Sequence, residues 1–301
     1  MNRIRLDLSY DGSGFHGWAA QPGLRTVEGV LTEALETVLR AQIKLTVAGR
    51  TDAGVHAAAQ TAHFDIADDT WRVVPGRSSR TPGAALLTRL TGVLARGQRT
   101  RGVGDIVVAR AEVTSPEFDA RFSAVGRRYR YRIDDRLVPD VFARNRALHT
   151  EPLRADRMSQ AGARLLGEHD FLSYCKPRAG ATTIRTLRRL DVHRPQNGPD
   201  TGLLVVDLEA DAFCHSMVRS IVGTLIEIGR GRRDPTWAHT RLVERERSAG
   251  VIVAPAHGLT LEGVDYPEAS RYAEQAELAR KVRENPLTPG AAHVDPLACC
   301  D

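Results

Sequence analysis

The chain has 301 residues, 42% hydrophobic and 26% charged, the balance of a globular protein with room for one large domain or two ordinary ones. Its 42 Lys and Arg against 37 Asp and Glu leave a formal charge of +5, which suits a polyanionic partner. No apolar run approaches the ~20 residues of a membrane span, and Met1-Asn2-Arg3 runs straight into an alternating strand pattern rather than a cleavable signal, so a cytoplasmic protein is expected.

In chain order the pattern predicts a strand at 3–10, an amphipathic helix at 26–40 and strands at 43–49 and 60–66. Between the last two, Asp52 before Ala53 to Gln60 can be read as the N-cap of a short helix. Pro82 to Ala95 follows as a helix with proline near its start, then a strand at 105–113. The second half repeats the order: strand 127–133, helix 154–166, strands 186–193 and 203–209, and helices 213–229 and 235–247. This is an α+β chain of two similar halves, each laying helices on one side of a largely antiparallel sheet. The halves are expected at 1–114 and 115–268, followed by a charged tail, 269–301, holding a short helix.

Four features carry chemistry. Ala48-Gly49-Arg50-Thr51-Asp52-Ala53-Gly54-Val55-His56 sets one carboxylate in a glycine-bracketed turn, where an acid either caps a helix or acts on a ligand. From Arg72 to Gly104 there are seven arginines and no acid, either a phosphate-binding stretch or a solvated basic face. On strand 127–133, Arg127, Tyr129, Tyr131 and Ile133 share one face, and Arg128, Arg130 and Arg132 the other. Such a strand is either an aromatic platform for an unstacked base or a half-buried strand with solvated arginines. Helix 213–229 is apolar on nearly every face except for Arg219, so its guanidinium demands an anionic partner, a carboxylate or a phosphate. Gly223, one turn on, would let another backbone approach. Cys175, Cys214, Cys299 and Cys300 match neither a disulfide framework nor metal spacing, so reduced thiols and no metal site are expected.

Together these residues resemble the tRNA pseudouridine synthase A family. The resemblance rests on Tyr10-Asp11-Gly12, Phe15-His16-Gly17-Trp18 and Gln21, the 48–56 run with Gln60, and Phe118-Asp119-Ala120-Arg121-Phe122-Ser123-Ala124. Arg127-x-Tyr129-x-Tyr131, Met217-Val218-Arg219 with Val222-Gly223, and Gly258-Leu259-x-Leu261 complete it, in order, over roughly residues 3 to 266. Where the family carries an Asn-x-x-Leu-Pro turn, this chain reads Thr91-Gly92-Val93-Leu94-Ala95 and then an Arg/Gly-rich insertion.

The resemblance implies the pseudouridine synthase fold with a central RNA-binding cleft. It makes Asp52 the nucleophile, has Arg50 help extrude the target nucleotide and puts Tyr129 on the target uracil. Arg219 pairs with Asp52, Leu259 joins the substrate pocket, and Phe118, Asp119, Ala120, Arg121 and Phe122 contact tRNA. It further implies positions 38 to 40 of the anticodon stem-loop as substrate, a homodimer, and no cofactor. Two other activities fit parts of the pattern: an RNA-binding protein without isomerase chemistry, and an RNA glycosidase that stops after bond cleavage.

Overall fold

The computed structural model describes residues 1–98, 102–176, 182–247 and 252–281. The predicted tail beyond 281, with Cys299 and Cys300, and Arg99 and Arg101 of the basic segment lie outside those residues.

The first half builds β1 (Asn2–Tyr10), α1 (Val27–Leu39), β2 (Thr46–Val47), β3 (His56–Ile66), α2 (Asp68–Val73), α3 (Pro82–Leu94) and β4 (Ile106–Thr114). β1 alternates as its sequence demands, with Ile4, Leu6, Leu8 and Tyr10 buried. The Thr26 hydroxyl accepts from Gly29 N–H to start α1, and Arg40, left-handed at φ 54°, ends it. Leu31, Leu35, Leu86 and Leu90 of α1 and α3 close over Leu6 and Phe64 as the first core.

The second half contains β5 (Gly126–Asp134), β6 (Leu148–His149), α4 (Ala155–Ala163), β7 (Gly167–Asp170), β8 (Ile184–His193), β9 (Leu204–Ala210), α5 (Met217–Gly229), α6 (Trp237–Glu244), β10 (Leu259–Asp265) and α7 (Tyr272–Arg280). Its core packs α4, α5 and α6 over Tyr131, Val206 and Leu208.

One sheet runs through both halves in the order β4-β1-β3-β10-β5-β9-β8-β7, with β2 and β6 as short additions on β3 and β5. β10 makes the junction, parallel to β3 (Thr260 opposite His56) and antiparallel to β5 (Leu261 opposite Tyr129). Leu261 belongs to the first core and Leu259, two residues away on the same strand face, to the second. Both helical layers therefore lie on one side of the sheet. Tyr129 touches both cores at the seam.

The opposite sheet face is a lattice of paired charges. Arg130 donates to Asp207 at 2.7 Å and to Asp200 at 3.0 Å, and Arg132 donates to Asp200 and Glu262, each at 2.8 Å. The alternation of strand 127–133 holds, but Arg130 and Arg132 are neutralised by carboxylates instead of being solvated.

Three further expectations are corrected. Residues 56–60 are strand, not helix, so Asp52 caps nothing. β3 pairs with β1 from Ile66 to Ala57, and that ladder overrides the helix propensity of Ala57, Ala58 and Ala59. Strand 43–49 shrinks to the two residues of β2. Cys175 and Cys214, expected as free thiols, form a disulfide with Cα atoms 5.7 Å apart, because the turn at Leu172–Tyr174 meets the segment entering α5.

Candidate active site

The 48–56 loop is held in place by the motifs that precede it. Tyr10 and Thr51 hydroxyls hydrogen-bond at 2.8 Å, and the Gln60 amide donates to the Tyr10 oxygen at 3.3 Å and to Gly49 O at 2.9 Å. Burial pushes the Tyr10 hydroxyl up to about 12, so it serves as a neutral strut. Trp18 N–H donates to Thr51 O at 3.0 Å and Gly54 N–H to Phe15 O at 3.2 Å. Val55 N–H closes the turn on Asp52 O at 3.1 Å. Gly17, at φ +91°, leaves room for Thr51 O and Ala53 N where a side chain would collide. At the loop's end His56 Nδ1 accepts from Gly12 N–H at 3.1 Å, which assigns the ring proton to Nε2, facing Asn145 O and His257 O. Asp11 Oδ1 also lies 3.2 Å from Nδ1.

The Asp52 carboxylate emerges from this frame partly exposed and meets α5. Arg219 Nη1 donates to Asp52 Oδ2 at 3.1 Å, and Arg219 Nε donates to Ala254 O at 2.7 Å. Ala254 N–H returns a bond to Arg219 O at 3.0 Å. The approach depends on Gly223, whose missing Cβ leaves space for the Ile252 carbonyl. The anionic partner that helix 213–229 required is thus Asp52, supplied by the other half of the molecule.

On the second carboxylate oxygen, His215 Nε2 lies 3.4 Å from Asp52 Oδ1. Two residues earlier, Phe213 meets Tyr129 edge to face with ring centres 5.2 Å apart. Tyr129 is half-buried, and burial raises its hydroxyl pKa well above the usual tyrosine value. Tyr131 is fully buried and donates to Pro255 O at 2.8 Å, so it offers no stacking face.

Arg127 joins three segments around the site. Its guanidinium donates to Ala48 O at 3.1 Å, to Arg121 O at 2.9 Å and to Asp211 O at 2.7 Å. Burial lowers its pKa.

The other expected residues are spread wider. Arg50 is exposed and has no hydrogen bond or ion pair among the described residues. Leu259 is buried in the second core opposite Tyr131. Phe118 and Ala120 are also buried, Phe118 between Tyr266 and Tyr272 with ring centres 4.9 and 5.1 Å away. Asp119 Oδ1 accepts from Arg121 N–H and Phe122 N–H at 2.8 and 2.9 Å, which presents Arg121 at the surface. Phe118 and Ala120 therefore shape the segment from beneath, while Arg121 and Phe122 occupy its outer side. No group of three or more His, Cys, Asp or Glu among the described residues could hold a metal ion.

His215 and Phe213 escaped the sequence reading because a helix from 213 would have put both in its buried wall. Ser216, left-handed at φ 64°, delays α5 to Met217 and frees the two rings to turn toward Asp52 and Tyr129.

A family model described as tRNA pseudouridine synthase matches residues 161–267. A tRNA pseudouridine synthase A of Frankia casuarinae is 48% identical over 96% of this chain and 98% of its own length. The chain belongs to the tRNA pseudouridine synthase A family. Another member, from Streptomyces griseus, is 46% identical over 99% of this chain and 96% of that one, and one from Bifidobacterium animalis is 42% identical over 94% and 99%. Each of these matches runs through both halves of the fold. No described helix is long and apolar enough to cross a membrane.

Proposed function

We propose that this tRNA pseudouridine synthase converts uridine to pseudouridine at positions 38 to 40 of the anticodon stem-loop, with Asp52 as the nucleophile. The pairing of Asp52 with Arg219 beside Tyr129 carries the proposal. Substrate and product are isomers. The N1–C1′ bond breaks, the uracil turns, and C5 bonds to C1′; the hydrogen on C5 leaves as a proton while N1 gains one. Attack at C1′, attack at uracil C6 and removal of the C2′ proton each call for an ionised carboxylate, which Arg219 matches with a fixed positive charge.

A uridine stacked in a stem reaches that carboxylate only after leaving the helix, at a cost of a few kcal/mol. Arg50, exposed two residues before Asp52, enters the vacated space in this reading. Tyr129, at the seam of the two cores, offers a ring for the extruded base, and Leu259 lines the pocket from below. Arg121 and Phe122 meet the phosphate backbone, over Phe118, Asp119 and Ala120. The enzyme acts as a cytoplasmic homodimer in this proposal, one tRNA reaching both subunits.

Transfer RNA tritiated on uracil C5 supplies the test. The enzyme should release label to water and leave pseudouridine at 38, 39 or 40. Release of free uracil would instead make it a glycosidase, and tight binding with no release an RNA-binding protein.

A further inference from the structure

α7 follows the last strand of the fold, beyond the residues that carry the family motifs, yet it grips the segment 118–124 along its length. Tyr272 packs against Phe118 and shares a small core with it and Ala120. The Ser123 hydroxyl donates to Tyr272 O at 3.2 Å, and the Gln275 amide to Ala124 O at 3.4 Å. At the far end of the helix, Arg280 reaches Asp119 Oδ2 at 3.5 Å.

The last contact has an unusual charge arrangement. The Arg280 guanidinium carbon lies 4.7 Å from the centre of the Phe122 ring, and that of Arg121 lies 4.9 Å from the same centre. Two like charges are thus held on one phenyl ring. Cation–π attraction offsets part of their repulsion. Asp119 meets Arg280 through Oδ2, while its Oδ1 serves two backbone N–H groups. The cations flanking α7 face acids of that helix, Arg271 with Glu274 at 3.2 Å and Lys281 with Glu277 at 3.7 Å. Arg280 remains 55% exposed, and a guanidinium has five N–H donors, of which the Asp119 contact takes one.

We propose that Arg280 is a phosphate contact for tRNA, so that α7 both shapes the docking segment from below and widens its cationic edge. The inference rests on the reading of residues 118–122 as an RNA contact. The exposed edge of the Arg280 guanidinium fits a phosphate, whose non-bridging oxygens accept two parallel N–H bonds.

Titration of the full-length protein with tRNA over a series of salt concentrations tests it. Arg280→Ala should weaken binding several-fold and reduce the slope of log K against log salt by roughly one. Arg280→Lys should keep the slope, and Arg271→Ala should change neither quantity. A wild-type slope in Arg280→Ala, with a reduced slope in Arg121→Ala, would overturn this proposal and leave the docking segment standing. Wild-type slopes in both would remove the docking segment, and Arg280 with it. Equal weakening by Ala and Lys at an unchanged slope would make Arg280 a packing residue and refute the contact.

Discussion

Among the described residues Arg127 has three backbone carbonyls and no carboxylate as hydrogen-bond partners, an expensive arrangement for a half-buried cation. Each carbonyl belongs to a different segment: Ala48 leads to Asp52, Arg121 lies in the docking segment, and Asp211 leads to Phe213 and His215. The planar fork of an arginine reaches these acceptors from two separated nitrogens, whereas an ammonium has all its donors on one atom. Arg127→Lys should therefore lower the rate of label release at saturating tRNA by at least about tenfold, equivalent to ~1.4 kcal/mol of misalignment. Thermal denaturation should show a loss of about 1–3 kcal/mol from the carbonyls left without a donor. Normal turnover in a destabilised Arg127→Lys would confine the residue to holding the fold. Tyr129→Phe separates ring from hydroxyl: a role limited to stacking predicts unchanged turnover, whereas lost turnover at unchanged tRNA affinity would assign work to the oxygen.

At the scale of elements, the contact between α5 and the irregular segment 252–254 decides where Arg219 points. A methyl group at Gly223 would run into the Ile252 carbonyl, which is backbone and has little freedom to yield. Gly223→Ala should cost about 1–3 kcal/mol in chemical denaturation. It should also cut activity, because Ala254, which shares two hydrogen bonds with Arg219, must move. This relation was readable in advance: an arginine alone on an apolar helix asks for an anion, and a glycine one turn later asks for a neighbour. Alternation likewise announced β1 and β5. What was hidden depended on partners distant in sequence. The alanines of β3 favour a helix until β1 pairs with them, and β10 looks like a short motif until β3 and β5 are placed on either side. His215 was invisible because a single left-handed serine moved the start of α5.

For the whole molecule, β10 makes one sheet of two halves and so fixes Asp52 of the first against Arg219 of the second. The face of that sheet away from the helices is stabilised by ion pairs centred on Asp200, which bonds Arg130, Arg132 and Arg146. Burial works against the Asp200 charge, but the three guanidiniums outweigh it and hold the carboxyl at about 2. Bonds from Arg136 likewise hold Asp134 at about 2. Both values lie below the ~3.9 of an aspartate in an unfolded chain. The stability these groups provide is accordingly complete above pH ~4 and is lost as pH falls through about 2. Acid titration followed by circular dichroism should show this loss, and Asp200→Asn should lower neutral-pH stability by about 3–5 kcal/mol, since three cations lose their common partner. An acid transition unchanged in Asp200→Asn would place the sensitive groups elsewhere.

The most direct measurement concerns Asp52→Asn, which keeps the size of the side chain and removes its charge. With tRNA tritiated at uracil C5, this variant should release label at least about a thousandfold more slowly than the wild type, a barrier increase of ~4 kcal/mol, while binding the same tRNA with comparable affinity. Release at the wild-type rate would contradict the assignment of Asp52 as the nucleophile.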